Sequence, residues 1–282
     1  MFDKNQANLE SHLTQIVRER DPYFATGGHF YVQQYILQEL AKWGEVEIDE
    51  FKVRGRNHQN FILNLSNATN RHKPPILIGA HYDAVPGSPG ADDNATGVAV
   101  LLELARIFAT EPARHPLRLV AFDLEEYNLL GSSYYANELR QQRQPLHLMI
   151  SLEMLGYCNS SPGSQQYPPG LNLFYPSEGN FIALIGNLPT VPDLIHLSRN
   201  VRSVGISCQW LLVGMRGLIL PAARRSDHAP FWDNGYRAIL VTDTAYLRNP
   251  HYHKPSDTIN TLNLKFLTQV LNGLAVGIRS LK

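Results

Sequence analysis

From residue 75 onward the chain repeats one unit, a short apolar run, then a loop, then a stretch of helical period. Apolar runs fall at 75–80, 117–122, 148–152 and 238–241. Helical patterns fall at 98–108, 131–141 and 192–203, in a short helix after Asp227, and from 262 to the end. Apolar strands alternating with helices predict an α/β fold, with a largely parallel sheet covered on both faces. At 44% hydrophobic and 18% charged, the chain has enough apolar material to fill two such layers. Upstream, 1–20 and 28–43 read as helices, the second stopping at Gly44. Residues 45–53 and 59–65 read as strands joined by a turn through Gly55 and Asn57. A strand near 171–175, a helix near 178–187 and a strand near 207–213 complete the expected set.

In a parallel sheet, ligands gather beyond the carboxyl ends of the strands. The chain places imidazoles and carboxylates there repeatedly. His81 and Asp83 follow the run 75–80, Glu125-Glu126 follow 117–122, and Glu153 closes 148–152. His251 and His253 sit in "TDTAYLRNPHYHKPSDT", just after 238–241. Each of these alone has an ordinary reading: a loop histidine, a solvated helix N-terminus favoured by acids, or Asp92-Asp93-Asn94 simply opening a helix. Four such strand ends together point to one shared site. Carboxylates crowded this closely repel unless a cation separates them. Imidazole and carboxylate donors suit zinc, and the lack of thiolates argues against a structural zinc cluster.

The motifs "GAHYD", "GADDNATG", "FDLEE", "SLEM", "RSDHAPFW" and "HYHKPSDT", in that order over 79–258, resemble those of the M28 family of zinc aminopeptidases. The resemblance implies a three-layer α/β/α sandwich with a mixed, largely parallel central sheet, built as a single domain over 1–282. It also implies two zinc ions: His81 and Glu153 holding one, Glu126 and His253 the other, and Asp93 bridging. Asp83 then orients His81, and Glu125 acts as general base on a shared water. Cobalt or manganese are alternative metals.

Asp92 reads equally as a turn or capping residue and as an outer partner of the site. Asp227-His228 reads as an ion pair that positions its loop. Two departures stand out. Glu153 occupies a place where many relatives carry aspartate, and Ala222-Ala223-Arg224-Arg225 stands where some secreted relatives carry a tyrosine. Tyr252, Arg225 or the metals alone are therefore the candidates for stabilising an oxyanion. Loops near 156–170, 214–225 and 244–252 are expected to line the substrate pocket. In the first of these, Tyr157, Tyr167, Pro168 and Pro169 are expected mainly to pack the loop down.

The resulting expectation is an aminopeptidase acting on a peptide or small amide. The alternatives are a single-zinc acyltransferase of glutaminyl-cyclase type, which keeps Asp93, Glu126 and His253 but not a working His81/Glu153 pair, an amidohydrolase of a non-peptide amide, and a binding module that has lost the chemistry. Lys plus Arg equals Asp plus Glu at 25 each, which argues against a broad polyanion-binding face and hence against nucleic acid. No stretch reads as a signal peptide or membrane span, and Cys158 and Cys208 fit neither a disulfide framework nor a CxxC site. A soluble, cytoplasmic protein with reduced thiols is expected.

Overall fold

The computed structural model describes residues 2–282. Its elements are α1 (Phe2–Ile16), α2 (Thr26–Ala41), β1 (Val46–Val53), β2 (Arg56–Leu65), β3 (Ile76–His81), α3 (Gly97–Thr110), β4 (Leu117–Phe122), α4 (Leu130–Gln141), β5 (Leu148–Glu153), β6 (Phe181–Gly186), α5 (Val191–Ser203), β7 (Ser207–Leu212), α6 (His228–Asp233), β8 (Ala238–Thr242) and α7 (Leu264–Ser280). All eight strands join one sheet in the order β1-β2-β4-β3-β5-β8-β6-β7. The central four, β4-β3-β5-β8, are parallel, while β1/β2, β2/β4 and β6/β8 run antiparallel. The sheet is therefore mixed and largely parallel at its centre, as the motifs imply.

Both faces are covered because side chains alternate along each central strand. Ile76, Ile78 and Ala80 point with Leu117, Leu119, Ala121, Leu148 and Ile150 into one core, which α1, α2, α3, α5 and α7 close. Leu77, Val120, Phe122 and Met149 point the other way, toward α4 and α6. Gly79 of "GAHYD" has a steric reason. A Cβ there would lie 2.4 Å from Cε2 of Phe122. The buried Phe122 ring itself packs beside Tyr135 and Phe231, which restricts its movement. Gly79→Ala is expected to cost about 1–3 kcal/mol through overpacking. In a urea titration the midpoint should fall with an unchanged slope, and an unchanged midpoint would contradict this packing.

The register sets up the site. His81 lies beside Phe122, and Glu153 beside Thr242, so β3, β4, β5 and β8 end at one level. The chain leaves β3 for β4 on one side and then crosses to β5 on the other, so β3 marks the point where strand order reverses. Open α/β sheets place their crevice at such a point.

Two expectations fail in one region. Residues 178–187 hold strand β6, not a helix, and 171–175 hold a single turn of 3-10 helix at Leu171–Leu173, not a strand. The run "FIALIG" is six residues of near-continuous apolar character, which periodicity alone does not assign. Its burial beside β8 and β7 makes it a strand. Leu173 and Phe174, which suggested a strand, are instead 78% and 80% exposed. The β1–β2 turn centres on Arg54 and Gly55, both at positive φ, so Asn57 already belongs to β2. Cys158 and Cys208 are free. Among the described residues, no helix is long and apolar enough to cross a membrane.

Candidate metal centre

His81 ends β3, and its Nε2 looks onto carboxylates only: Asp93 at 3.3 Å, Glu153 at 3.4 Å and Glu125 at 3.9 Å. Asp93 comes from the Ala91–Thr96 turn that opens α3, and its two oxygens diverge. Oδ1 faces His81, while Oδ2 lies 3.1 Å from Nε2 of His253. Glu126 completes the second side, 3.2 Å from the same nitrogen of His253. Residues 81, 93, 125, 126, 153 and 253 thus converge, although they arrive from five separate segments. Leu124, Met154 and His253 hold left-handed backbone at φ 56°, 49° and 58°. Such conformations cost of order 1–3 kcal/mol each and cluster where side chains must be aimed.

The electrostatics are those of a cation site. Burial opposes charge on Asp93, but its bonds to His253 and His81 outweigh that and hold its carboxyl below the ordinary range. Burial pushes Glu126 up to about 7, with Asp93 adding to it. Glu125 is pushed well above its ordinary value, first by burial and then by the carboxylates of Glu153, Glu126 and Asp227. His253 loses some basicity to burial, but Asp93 and Glu126 together raise it to about 10. The donor set is imidazole and carboxylate, and one oxygen of Glu126 is buried with no partner in the protein. These features fit divalent zinc. Ligand atoms of His81, Glu125 and Glu153 lie within 4.8 Å of one another, and so do those of Asp93, Glu126 and His253. Distance alone therefore admits Glu125 beside the first pair, so its task must be separated by chemistry.

The surrounding contacts explain how the loops are held. Asp83 Oδ1 lies 3.4 Å from Nδ1 of His81, a looser approach than a hydrogen bond. Its carboxylate instead accepts from the backbone N–H groups of Glu125 (3.1 Å) and Glu126 (3.2 Å), fixing both glutamates at once. Ser226 donates to Glu153 at 2.7 Å. Asn94 donates to the Leu152 carbonyl and accepts from Met154 N, gripping β5 on either side of Glu153. Asp257 accepts from the N–H groups of Asp92 and Asp93. Behind Glu125, buried Asp123 sits between His29 (2.8 Å) and His58 (3.0 Å).

Asp92 points away from the centre, accepting from Gly156 N and the Asn249 amide, so it staples three loops. The expected Asp227–His228 ion pair is not formed. His228 Nε2 donates to the Ala223 carbonyl at 2.7 Å and its ring packs edge-on against Trp232. Burial lowers His228 to about 3, so it is neutral and cannot pair. Among the described residues, the buried oxygens of Asp227 have no hydrogen-bond partner. His251 bonds Ser256 and does not join the convergent set.

Beside Glu153 opens an apolar pocket of about 120 Å³, with Tyr167, Tyr175, Trp210 and Leu211 among its walls and Arg225 and Tyr252 also lining it. The three expected loops all contribute, but strands β6, β7 and β8 supply walls that the sequence reading omitted. Tyr167 and Tyr175 stack on one another and anchor their hydroxyls on the Pro176 and Trp210 carbonyls. They pack the loop and line the pocket together. Tyr252 stacks on the His253 imidazole with centroids 3.8 Å apart.

Comparison with known proteins agrees with this arrangement. The profile described as "Peptidase family M28" matches residues 60–180, which hold all the convergent residues except His253. The Escherichia coli protein YfbL is 36% identical over 258 residues, covering 86% of this chain and 77% of the relative. The structure of BSAP, a zinc aminopeptidase from Bacillus subtilis, superposes with a TM-score of 0.57 at 25% identity, over 80% of this chain and half of that one. A glutaminyl cyclase from Bacteroides thetaiotaomicron shares the fold at a TM-score of 0.72 and 16% identity, over 100% of this chain and 98% of that one. With its motifs, fold and sequence relatives in agreement, the chain belongs to peptidase family M28.

Proposed function

We propose that the chain is a dinuclear zinc aminopeptidase in which His81, Asp93 and Glu153 hold one ion, Asp93, Glu126 and His253 hold the other, and Glu125 is the general base. Family membership supports a zinc metallohydrolase. The observation that carries the finer reading is Asp93, whose two oxygens face histidines on opposite sides. Zinc held by these residues would supply a Lewis acid able to polarise the scissile carbonyl and lower the pKa of water.

The remaining work belongs to the protein. Glu125 is held through its N–H by Asp83, and its carboxyl is raised by burial among other acids. A carboxylate with raised proton affinity accepts a proton from water and returns it to the leaving amine. Glu153, held by Ser226, lines the pocket, where its carboxylate can meet a free α-amine. Burial keeps the Tyr252 phenol protonated, with Asp93 and Glu126 adding to the shift. Its hydroxyl and the Arg225 guanidinium are therefore donors for developing oxyanion charge. The apolar pocket takes the side chain of the residue that carries the amine.

Leucyl- or phenylalanyl-anilide should be cleaved, and the N-acetylated counterparts should not. Equal cleavage of acetylated substrates would replace the aminopeptidase with a general amidohydrolase. Cyclisation of an N-terminal glutamine without anilide cleavage would favour the glutaminyl-cyclase chemistry of the structural neighbour. The presence of both His81 and Glu153 beside Asp93 supports hydrolysis over that reading.

Zinc affinity should also depend on pH. In the protein alone, Glu126 holds its proton to about 7 and His253 to about 10. Zinc must displace those protons, so binding releases them and weakens as pH falls. Chelator competition between pH 8 and pH 5.5 should show affinity dropping steadily. A flat profile would mean these two groups are not ligands.

A further inference from the structure

We infer that Arg20, in the linker between α1 and α2, is the positioning residue that sets the spacing of the two halves of the metal centre. This rests on the dinuclear reading above. Arg20 is fully buried, although a guanidinium loses much hydration on leaving water. Among the described residues, none of its hydrogen-bond partners is a carboxylate. Instead all five N–H donors reach backbone carbonyls. Nε donates to Tyr82 at 2.8 Å, Nη1 to Pro89 and Arg18, and Nη2 to Gly90 (2.8 Å) and Asp93 (3.2 Å).

Those acceptors are not scattered. Tyr82 lies between His81 and Asp83, while Pro89, Gly90 and Asp93 lead up to and include the bridging carboxylate. One rigid planar group therefore spans the loop from the first histidine to the bridge and fixes its closure. Gly90 fits the same design. Its φ is +56°, and a Cβ there would stand 2.2 Å from the Asp93 carbonyl oxygen and 2.8 and 2.9 Å from the two terminal nitrogens of Arg20. The adjacent Asp21 accepts from the Tyr127 hydroxyl at 2.7 Å, so the linker also grips the segment bearing Glu125 and Glu126. Burial works against the charge on this guanidinium, and the carboxylates of Asp93, Asp257, Asp83 and Glu126 offset part of that cost.

A lysine keeps the charge but offers three donors from a single atom, which cannot span four separated carbonyls of this loop. Outer partners that orient metal ligands typically contribute about 10–100-fold in metal affinity. Arg20→Lys, folded by circular dichroism and assayed well below its melting temperature, should therefore lose both zinc ions to a chelator at about 10–100-fold lower concentration than wild type. Excess zinc should restore its kcat with KM unchanged in protein whose circular dichroism is already native before zinc is added. If Arg20→Lys does not accumulate as folded protein, Arg20→Gln, which keeps a planar donor but loses most of the five bonds, should show the same zinc loss. A folded variant of either kind that resists chelator like wild type overturns the positioning role alone. A wild-type chain that binds no zinc overturns the dinuclear reading as well.

Discussion

Replacing Glu125 with glutamine is expected to abolish measurable turnover while two zinc ions stay bound. The amide keeps the shape and the backbone contact to Asp83, but it cannot accept a proton. Positioned acid–base groups contribute roughly 10²–10⁴-fold, and here one group serves both the attack and the departure of the amine. The outcome separates two roles that distance leaves close together, because Glu125 Oε2 stands 3.9 Å from His81 Nε2 and Glu153 only 3.4 Å. Loss of one zinc along with activity would make Glu125 a ligand. Retention of both zincs with undiminished activity would remove it from the mechanism. The substitution should also leave the fold intact or slightly stabilised, since it relieves repulsion among Glu125, Glu153, Glu126 and Asp227.

Asp93→Ala should strip both ions together. In the proposed centre each half would have two other protein ligands, His81 with Glu153 and Glu126 with His253, and Asp93, which lies beside both histidines, would be the third for each. Removing a shared ligand should weaken both sites by more than the roughly 10–100-fold that loss of an outer partner costs. His81→Ala should fall mainly on one ion. Elemental analysis of the two variants side by side reads the difference. One tightly held zinc in Asp93→Ala would show that the carboxylate serves a single ion and does not bridge.

The residues that converge at the strand ends were legible from sequence because parallel strands deliver their next residues to one level. His81, Glu125-Glu126 and Glu153 each sit at the end of a run whose apolar character identifies it as a strand. The supporting contacts left no such mark. Asp257 caps the N–H groups of Asp92 and Asp93 from 165 and 164 residues away, Ser226 reaches Glu153 across 73, and Arg20 bonds carbonyls that every residue type possesses. A side chain that binds backbone leaves no complementary residue to notice. The Asp227–His228 pairing failed for a related reason: adjacency in the chain says nothing about direction, and His228 turned toward Ala223. Around β6 the ambiguity was one of period. Six apolar residues suit a buried strand or a short helix equally, and only the neighbouring strands decide.

The zinc content of the purified chain, saturated with zinc and freed of excess by gel filtration, bears most directly on the central claim. Two zinc ions per chain are expected, both removed together by Asp93→Ala. A single ion, or none, in the wild-type protein would contradict a dinuclear centre bridged by Asp93.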